Sequence, residues 1–254
     1  MKDAFGIYKL LRSLADQHLH GPLVSVLEFG CGWGRIVRFF TRDMEPQRLW
    51  GIDCMPLAID ICKQTNPYAQ FELVDAFPPT RVAGDAFSMV YAYSVFSHLS
   101  EAAHLAWLNE FKRILRPGGL LVATTRSRDF ILYCEQMRKV GEQRAWAQGT
   151  VLAFPDTAGA LARYDRGEYL FHATGGGDVL DASFFGETCI PQQYVAENWT
   201  RLFEFIDYMD DRRFCDQSVI VARKRSFGLD TAPKQLLTTH SFRVIEVFPK
   251  RRFC

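Results

Sequence analysis

The sequence predicts an α/β protein in which one doubly wound, mostly parallel sheet carries helices on both faces. Short apolar segments of strand length alternate with segments whose apolar residues recur at helical spacing, over roughly the first 125 residues. Strands alternating with helices indicate βαβ units and therefore parallel pairing. The strand segments are apolar almost throughout, which is typical of strands covered on both faces.

The individual elements follow in order along the chain. An amphipathic helix is predicted over residues 1–20, because Gly21-Pro22 ends its apolar stripe. Further helices are expected after the glycine-rich segment at 30–35, from Pro56, which suits a first helical turn, and from Ser100, which can cap a helix. The first five predicted strands are Leu23–Phe29, Arg48–Asp53, Ala69–Val74, Phe87–Tyr93 and Leu120–Thr125.

The pattern changes after the fifth strand. Residues 128–148 look helical, and residues 149–200 are rich in glycine and aromatic residues, as expected of an insertion that forms a substrate lid. Two more strands, Leu202–Met209 and Ser218–Arg223, have a connection too short for a crossover helix and should pair antiparallel. We therefore expect one domain over residues 1–225. A C-terminal extension over 226–254 would follow, with an edge strand at Phe242–Phe248.

Composition and charge exclude several classes of protein. Hydrophobic residues make up 48% and charged residues 23%, the mixture of a globular protein. Thirty basic and 29 acidic residues give a net charge of +1, which provides no field to hold nucleic acid or an anionic membrane. The apolar runs fall short of the ~18 residues of a membrane helix, and the N-terminus lacks the apolar region of a signal peptide. Seven scattered cysteines favour free thiols in a reducing compartment, so we expect a cytoplasmic protein.

Candidate binding residues follow the strands, because ligands bind beyond the carboxyl ends of an open parallel sheet. Gly30, Gly32 and Gly34 follow the first strand and let the backbone approach a ligand closely. Asp53 ends the second strand and can accept both hydroxyls of a ribose, and Asp75 follows the third and can accept an adenine amino group. The dinucleotide fingerprint would require a third glycine at position 35, which is arginine, so the spacing disfavours NAD and FAD.

These segments together resemble the class I S-adenosylmethionine-dependent methyltransferases. The resemblance rests on LEFGCGWGR at 27–35, the acids that end two strands, YSVFSHL at 93–99, and FKRILRPGGLLVATT at 111–125. More narrowly, the chain is similar to bacterial methyltransferase-domain proteins associated with glycan or secondary-metabolite biosynthesis. The resemblance implies a Rossmann-like sheet of six parallel strands and a last, antiparallel one, with S-adenosyl-L-methionine as the cofactor.

The resemblance also implies roles for individual residues. The three glycines would approach the methionine part and the ribose, with Glu28 orienting the loop or the cofactor's amino group. Asp53 would hold the ribose and Asp75 the adenine. The full set of implied cofactor-binding residues is Glu28, Gly30, Cys31, Gly32, Gly34, Asp53, Cys54, Asp75, Ala76, Tyr93, Ser94 and Val95.

Two histidines are candidates for a catalytic role. His98 follows the fourth strand and is either a general base or a residue that packs at the entry to the Ser100 helix. His172 lies in the insertion, either in a surface loop or in contact with substrate. Histidine and cysteine do not cluster at ligand spacing, so no metal site is expected.

The function that these residues favour is methylation of a small molecule, with a hydroxyl of a saccharide or natural product as the expected acceptor. Two alternatives stay open: a cofactor-binding protein that has lost catalysis and serves regulation or scaffolding, and a nicotinamide-dependent oxidoreductase. Neither a nucleic acid nor a membrane is expected as a partner. The sequence leaves the oligomeric state open.

Overall fold

A seven-stranded sheet forms the centre of the molecule in the computed structural model, which describes residues 4–226. Its strand order is β3-β2-β1-β4-β5-β9-β8, and β6 and β7 form a separate two-stranded sheet. The strands are β1 (Val26–Phe29), β2 (Leu49–Asp53), β3 (Gln70–Leu73), β4 (Phe87–Ala92), β5 (Leu115–Thr125), β6 (Leu170–Ala173), β7 (Gly186–Cys189), β8 (Glu204–Met209) and β9 (Ser218–Arg223).

The directions of the strands confirm the predicted fold class. Strands β1 to β5 pair in parallel, whereas β9 is antiparallel to both of its neighbours, β5 and β8. Since β8 therefore runs with the first five strands, the sheet has six parallel strands and one antiparallel strand. The strand order reverses between β1 and β4, which is where a ligand is expected in an open sheet of this kind.

Helices cover both faces of the sheet. They are α1 (Ala4–His18), α2 (Pro56–Thr65), α3 (Glu101–Ile114), α4 (Arg128–Lys139), α5 (Gln148–Leu152), α6 (Thr157–Asp165) and α7 (Gln192–Asn198). The Ser100 hydroxyl accepts the Ala103 N–H at 3.4 Å at the start of α3, and Pro56 occupies the first turn of α2, as the sequence predicts. Among residues 4–226, no helix has the length and hydrophobicity needed to cross a membrane.

Two hydrophobic cores lie on opposite faces of the sheet. Leu27 and Val90 pack with Trp107 of α3 on one face, whereas their neighbours Val26 and Met89 pack with α1 on the other. Side chains alternate between the faces of a strand, so a strand buried on both sides must be apolar at consecutive positions. This explains the continuous apolar segments of the sequence.

The segment after the glycine-rich loop departs from the expected helix. It forms turns and then a 3₁₀ helix over Val37–Arg42. The segment is rich in β-branched and aromatic residues, which have low helix propensity. The Val37 N–H also donates to a carboxylate oxygen of Glu28 at 2.9 Å, so a side chain of β1 binds a backbone group at the start of this helix.

Strand β5 also starts earlier than expected, at Leu115 instead of Leu120. Residues 115–119 are part of the strand, with a shift of register against β4. Gly118 has φ +76°, and its N–H donates to the Lys224 carbonyl at 2.8 Å. This part of β5 is therefore hydrogen-bonded to the chain that follows β9.

The insertion has elements of its own and is joined to the core by backbone hydrogen bonds. It contains α5, α6, the β6–β7 hairpin and α7, whereas the helix predicted over 128–148 ends at Lys139. The Gly186 N–H donates to the His98 carbonyl at 2.8 Å, and the Ser100 N–H donates to the Phe184 carbonyl at 2.7 Å. The hairpin is therefore a wall fixed to the loop after β4. The strand predicted at Phe242–Phe248 lies outside the described residues.

We predict that His104→Gln makes the stability of the protein less dependent on pH. His104 of α3 is fully buried, accepts the Trp199 indole N–H at 3.0 Å, and has its pKa lowered to about 3 by burial. The unfolded chain takes up this proton below about pH 6.5, whereas the folded chain does not. The free energy of unfolding therefore falls as the pH falls below 6.5, by up to about 1.4 kcal/mol per pH unit for this group.

Denaturant titrations of both proteins at pH 7, 6 and 5 measure this effect. The variant loses stability at pH 7, and the difference from the wild type should shrink toward pH 5. The matched control is His20→Gln, since His20 is exposed. A difference between wild type and His104→Gln that stays constant over this range would contradict the prediction.

Candidate functional site

A cavity of about 260 Å³ lies at the carboxyl ends of the strands, where the strand order reverses. Residues that follow β1 to β4 line it, and residues of the insertion close it on one side. Among its lining residues are eight that the sequence singled out: Gly30, Asp53, Cys54, Asp75, Ala76, Ser94, Val95 and His98. The others are not among its lining residues: Glu28, Cys31, Gly32, Gly34, Tyr93 and His172.

The glycine-rich loop contains one crowded and one open glycine. Gly30 has φ +69°, and a Cβ there would lie 2.3 Å from a methyl carbon of Val95. Gly32 has φ +51°, and a Cβ there would meet no atom within 4 Å. The loop after β1 and the loop after β4 thus interlock at Gly30, while the backbone at Gly32 stays accessible to a ligand.

Asp53 joins this loop to the start of α2. One carboxylate oxygen accepts the Gly32 N–H at 2.8 Å, and the other accepts the Met55 N–H at 2.9 Å. A carboxylate offers about four acceptor positions, so each oxygen can accept another hydrogen bond. Asp53 therefore lies at the strand end that the sequence predicts and also holds the loop, which the sequence analysis did not anticipate.

Glu28 is hydrogen-bonded to the chain that follows the glycine-rich loop. It is buried in the sheet, and its bond to the Val37 N–H fixes the chain beyond the loop. Burial raises the pKa of Glu28 to about 8, the hydrogen bonds opposing the shift. Cys31 is also buried, packed with Cys62 and Phe71 away from the cavity. The positions of Glu28 and Cys31 indicate that both residues stabilise the loop.

The chain after β4 adopts a strained conformation at the cavity. Ser94 has φ +60°, and its N–H donates to the Thr124 hydroxyl at 2.7 Å. The Gln217 amide completes the network, donating to the Ser94 hydroxyl at 2.9 Å and accepting from Thr124 at 2.7 Å. Thr124 of β5 and Gln217, which precedes β9, thus stabilise a backbone conformation that serine rarely adopts. Strained backbone conformations of this kind are common at binding sites.

Tyr93 lies on the other side of this kink. Its hydroxyl donates to Asp216 at 3.1 Å, and the Arg35 guanidinium lies 5.1 Å from the centre of its ring. Its side chain packs with the core beneath α1 instead of lining the cavity. Of the three residues at 93–95, the structure thus brings Ser94 and Val95 to the cavity.

His98 lines the cavity and contacts three neighbouring residues. Its Nδ1 lies 2.8 Å from the Gly186 carbonyl and so donates to it, which leaves Nε2 as the acceptor in the neutral ring. Nε2 lies 3.5 Å from a guanidinium nitrogen of Arg126, and the ring stacks on Phe185 with centroids 4.8 Å apart. Burial, reinforced by the Arg126 charge, lowers the pKa of His98 to about 3. The imidazole is therefore neutral at physiological pH.

Arg126 and Glu187 form a buried ion pair next to His98. Arg126 directly follows β5, its guanidinium lies 3.8 Å from the centre of the Phe130 ring, and burial lowers its pKa to about 10. Glu187 belongs to β7 of the insertion. The strand-end rule could have identified Arg126, which the sequence analysis did not name. Glu187 comes close because residues 186–188 are hydrogen-bonded to residues 97–98, about 90 positions earlier in the chain. No local sequence pattern reveals this pairing.

His172 does not line the cavity. It lies in β6 directly opposite Glu187 in the register of the hairpin, with its ring 6.1 Å from that of Phe154. Among residues 4–226, no group of three or more histidine, cysteine or acidic side chains could hold a metal ion.

Comparison with known proteins identifies the class to which the fold belongs. Residues 26–119 match the family described as a methyltransferase domain. The fold resembles a putative S-adenosylmethionine-dependent methyltransferase from Listeria monocytogenes, at TM-score 0.58 and 15% identity over 88% of this chain and 100% of that one. It also resembles one from Methanosarcina mazei, at TM-score 0.54 and 16% identity over 84% and 97%. The fold is that of the class I S-adenosylmethionine-dependent methyltransferases, in agreement with the resemblance found in the sequence.

Curated relatives share a shorter part of the chain. A fatty-acid O-methyltransferase of Mycolicibacterium smegmatis is 30% identical over 106 residues, which are 39% of this chain and 36% of that protein. A phthiotriol/phenolphthiotriol dimycocerosates methyltransferase of Mycobacterium leprae is 29% identical over 117 residues, 43% and 40% of the two chains. The chain thus spans well under half the length of these relatives.

The cavity fits the cofactor of this class, S-adenosylmethionine. The accessible backbone at Gly32 leaves room that a side chain would fill. Asp53 and Asp75 line the cavity and supply acceptors for hydroxyl and amino groups. These are the donor and acceptor types that a nucleoside joined to an amino acid requires.

We predict that Gly30→Ala destabilises the protein more than Gly32→Ala does. Both positions have positive φ, which costs a non-glycine residue about 1 kcal/mol or more. Only at Gly30 would the new methyl group also overlap Val95, and overpacking adds about 1–3 kcal/mol. Denaturant unfolding of the two variants measures the difference.

The second half of this experiment is a double-mutant cycle. Gly30→Ala should cost less in a Val95→Ala background, because truncation of Val95 removes the overlapping methyl groups. Equal losses for the two glycine variants, or additive losses in the cycle, would contradict the close contact between the loops.

Proposed function

We propose that this protein transfers a methyl group from S-adenosylmethionine to a small-molecule acceptor. The observation that carries the proposal is that Gly30, Asp53 and Asp75 line one cavity at the point where the strand order reverses, with the Gly32 N–H bonded to Asp53. The match of residues 26–119 to a methyltransferase domain supports it independently.

Each cofactor residue has a role that its position supports. Asp53 would hold the ribose hydroxyls with the lone pairs that Gly32 and Met55 leave free, and Asp75 and Ala76 would bind the adenine. The backbone around Gly30 and Gly32 and the strained Ser94 would bind the methionine part. When bound, the cofactor supplies a methyl group on a sulfonium, which needs no activation by the protein.

The remaining catalytic task of the chain is to position the acceptor and exclude water. Positioning of this kind can supply about 7–11 kcal/mol. His98 suits this task better than that of a base. Its Nδ1 proton is bound to the Gly186 carbonyl, its Nε2 faces the Arg126 guanidinium, and its low pKa makes it a weak proton acceptor at neutral pH. We infer that His98 shapes the wall of the site.

The class of methyl acceptor is inferred from the relatives. The curated relatives are a fatty-acid O-methyltransferase and a phthiotriol/phenolphthiotriol dimycocerosates methyltransferase, and they support a small-molecule acceptor for this chain. A saccharide hydroxyl, the acceptor expected from the sequence, receives no support from these relatives.

We predict that S-adenosylhomocysteine binds to the protein, that NAD does not, and that Asp53→Ala weakens the binding roughly 10–150-fold. The reason is the loss of hydrogen bonds to a charged group, worth about 1.5–3 kcal/mol. Isothermal titration calorimetry measures the three dissociation constants.

The matched control is Asp60→Ala, at an exposed acid of α2. This variant should bind S-adenosylhomocysteine like the wild type. Because Asp53 also holds the Gly32 loop, circular dichroism must show that Asp53→Ala is folded. Binding of NAD without binding of S-adenosylhomocysteine would overturn the proposed function.

We predict that His98→Ala folds, binds S-adenosylhomocysteine, and loses less activity than the ~10²–10⁴-fold expected when a general base is removed. Activity is measured as transfer of tritiated methyl to the best compound of an acceptor panel. A residue that only supports the site leaves the shape of the pH profile of kcat/KM unchanged.

His172→Ala is the control, because that histidine lies outside the cavity. A loss above about 10³-fold, together with disappearance of a titration from the acid limb of the pH profile, would show that His98 is the base.

A further inference from the structure

The insertion contributes an apolar wall to the cavity. Leu180, Phe184 and Phe185 of this segment line the cavity together with Leu99 and Trp107 of the core. We propose that this apolar chamber, defined by those five residues, binds a hydrocarbon or aromatic body of the methyl acceptor, and that Leu180 contacts this apolar body. This inference rests on the proposed function and narrows its substrate class.

Two N–H groups beside the chamber are already bonded within the protein. The Trp107 indole N–H donates to the Ala76 carbonyl at 2.9 Å. The His98 Nδ1–H donates to the Gly186 carbonyl at 2.8 Å. A saccharide in the apolar chamber would bury hydroxyl groups that the five side chains could not satisfy, and unsatisfied buried polar groups are costly. An apolar body would lose nothing in this way and would gain from leaving water.

A tight turn fixes Leu180 in the wall. The Gly176 N–H donates to the Leu180 carbonyl at 2.9 Å, and the Leu180 N–H donates to the Gly177 carbonyl at 3.0 Å. A Cβ on Gly176 would lie 2.7 Å from a methyl carbon of Leu180 and 2.9 Å from the Phe185 ring. The backbone at Gly176 is thus packed against both side chains, and any side chain there would displace the wall.

The wall is also anchored to the core. The Ser100 N–H donates to the Phe184 carbonyl at 2.7 Å, and Leu99 forms a β-bridge with Phe185. The apolar chamber is therefore formed before any acceptor arrives, as is usual for binding sites of small molecules. It is built largely from residues beyond 26–119, the segment that matches the methyltransferase domain. A wall added outside that domain is suited to selecting the acceptor.

The adenine of the cofactor is the competing occupant of the apolar chamber. Phe184 lies near Phe77, which follows the predicted adenine residues, with ring centroids 6.1 Å apart. The two occupants differ in what a change at Leu180 does. If the wall contacts the acceptor, a substitution at Leu180 leaves the affinity for the cofactor unchanged. If the wall contacts adenine, the same substitution lowers that affinity.

The test uses 2-naphthol as the apolar probe and methyl α-D-glucopyranoside as the saccharide probe. Each is titrated by calorimetry into the full chain saturated with S-adenosylhomocysteine. We expect 2-naphthol to bind and the glucoside not to bind. Leu180→Asn keeps the size of the side chain but makes it polar. It should weaken the binding of 2-naphthol at least about tenfold and leave the dissociation constant of S-adenosylhomocysteine within twofold of the wild type.

Val179→Asn is the matched control, because Val179 is the neighbouring residue and its side chain is 39% exposed outside the cavity. It should change neither affinity. Binding of S-adenosylhomocysteine also reports that each variant is folded.

The outcomes separate this inference from the proposed function. If the wild type binds S-adenosylhomocysteine but prefers the glucoside, or binds neither probe, the apolar chamber is not an acceptor site and the proposed function stands. If Leu180→Asn loses S-adenosylhomocysteine affinity tenfold while circular dichroism shows a folded chain, the wall belongs to the cofactor and the inference fails. If the wild type does not bind S-adenosylhomocysteine, the proposed function itself fails.

Discussion

The carboxylate of Asp53 is the interaction on which the site depends most. It accepts backbone N–H groups from the glycine-rich loop and from the start of α2, and thereby ties the chain after β1 to the chain after β2. Two adjacent parallel strands end here, and the Gly30 and Cys31 N–H groups also join them by donating to the Ile52 carbonyl at 2.8 and 3.1 Å. Asp53 also lines the cavity, so one side chain both shapes the site and can offer its remaining acceptor positions to a ligand. Loss of this group would therefore affect geometry and affinity together.

The positions of strand ends could be predicted from sequence, and the directions of side chains beyond them could not. Asp53 and Asp75 follow apolar segments bounded by polar residues, so the pattern placed them at the edge of the sheet. Tyr93 and Ser94 follow another such segment, yet the φ of +60° at Ser94 separates Tyr93 from the cavity. That conformation depends on the distant residues Thr124 and Gln217, which a local pattern does not reveal.

The predicted helix after the glycine-rich loop shows a different limit. A helix in this position is the expectation for a βαβ unit, but the β-branched and aromatic residues here favour other conformations, and Glu28 binds the backbone at Val37. The buried cluster of His98, Arg126 and Glu187 shows a third limit, because it joins the ends of β4 and β5 to a hairpin far along the chain. Charged residues are seldom retained in an apolar setting without a partner, and here each has one.

The backbone ladder between the insertion and the loop after β4 has a consequence for protein engineering. Residues 184–188 and 97–100 share hydrogen bonds as neighbouring strands do. The insertion is therefore not an independent module that can be cut out or replaced at its two ends. A chimera that exchanged it would need to keep this ladder intact, or the carbonyl and amide groups of the core loop would lose their partners.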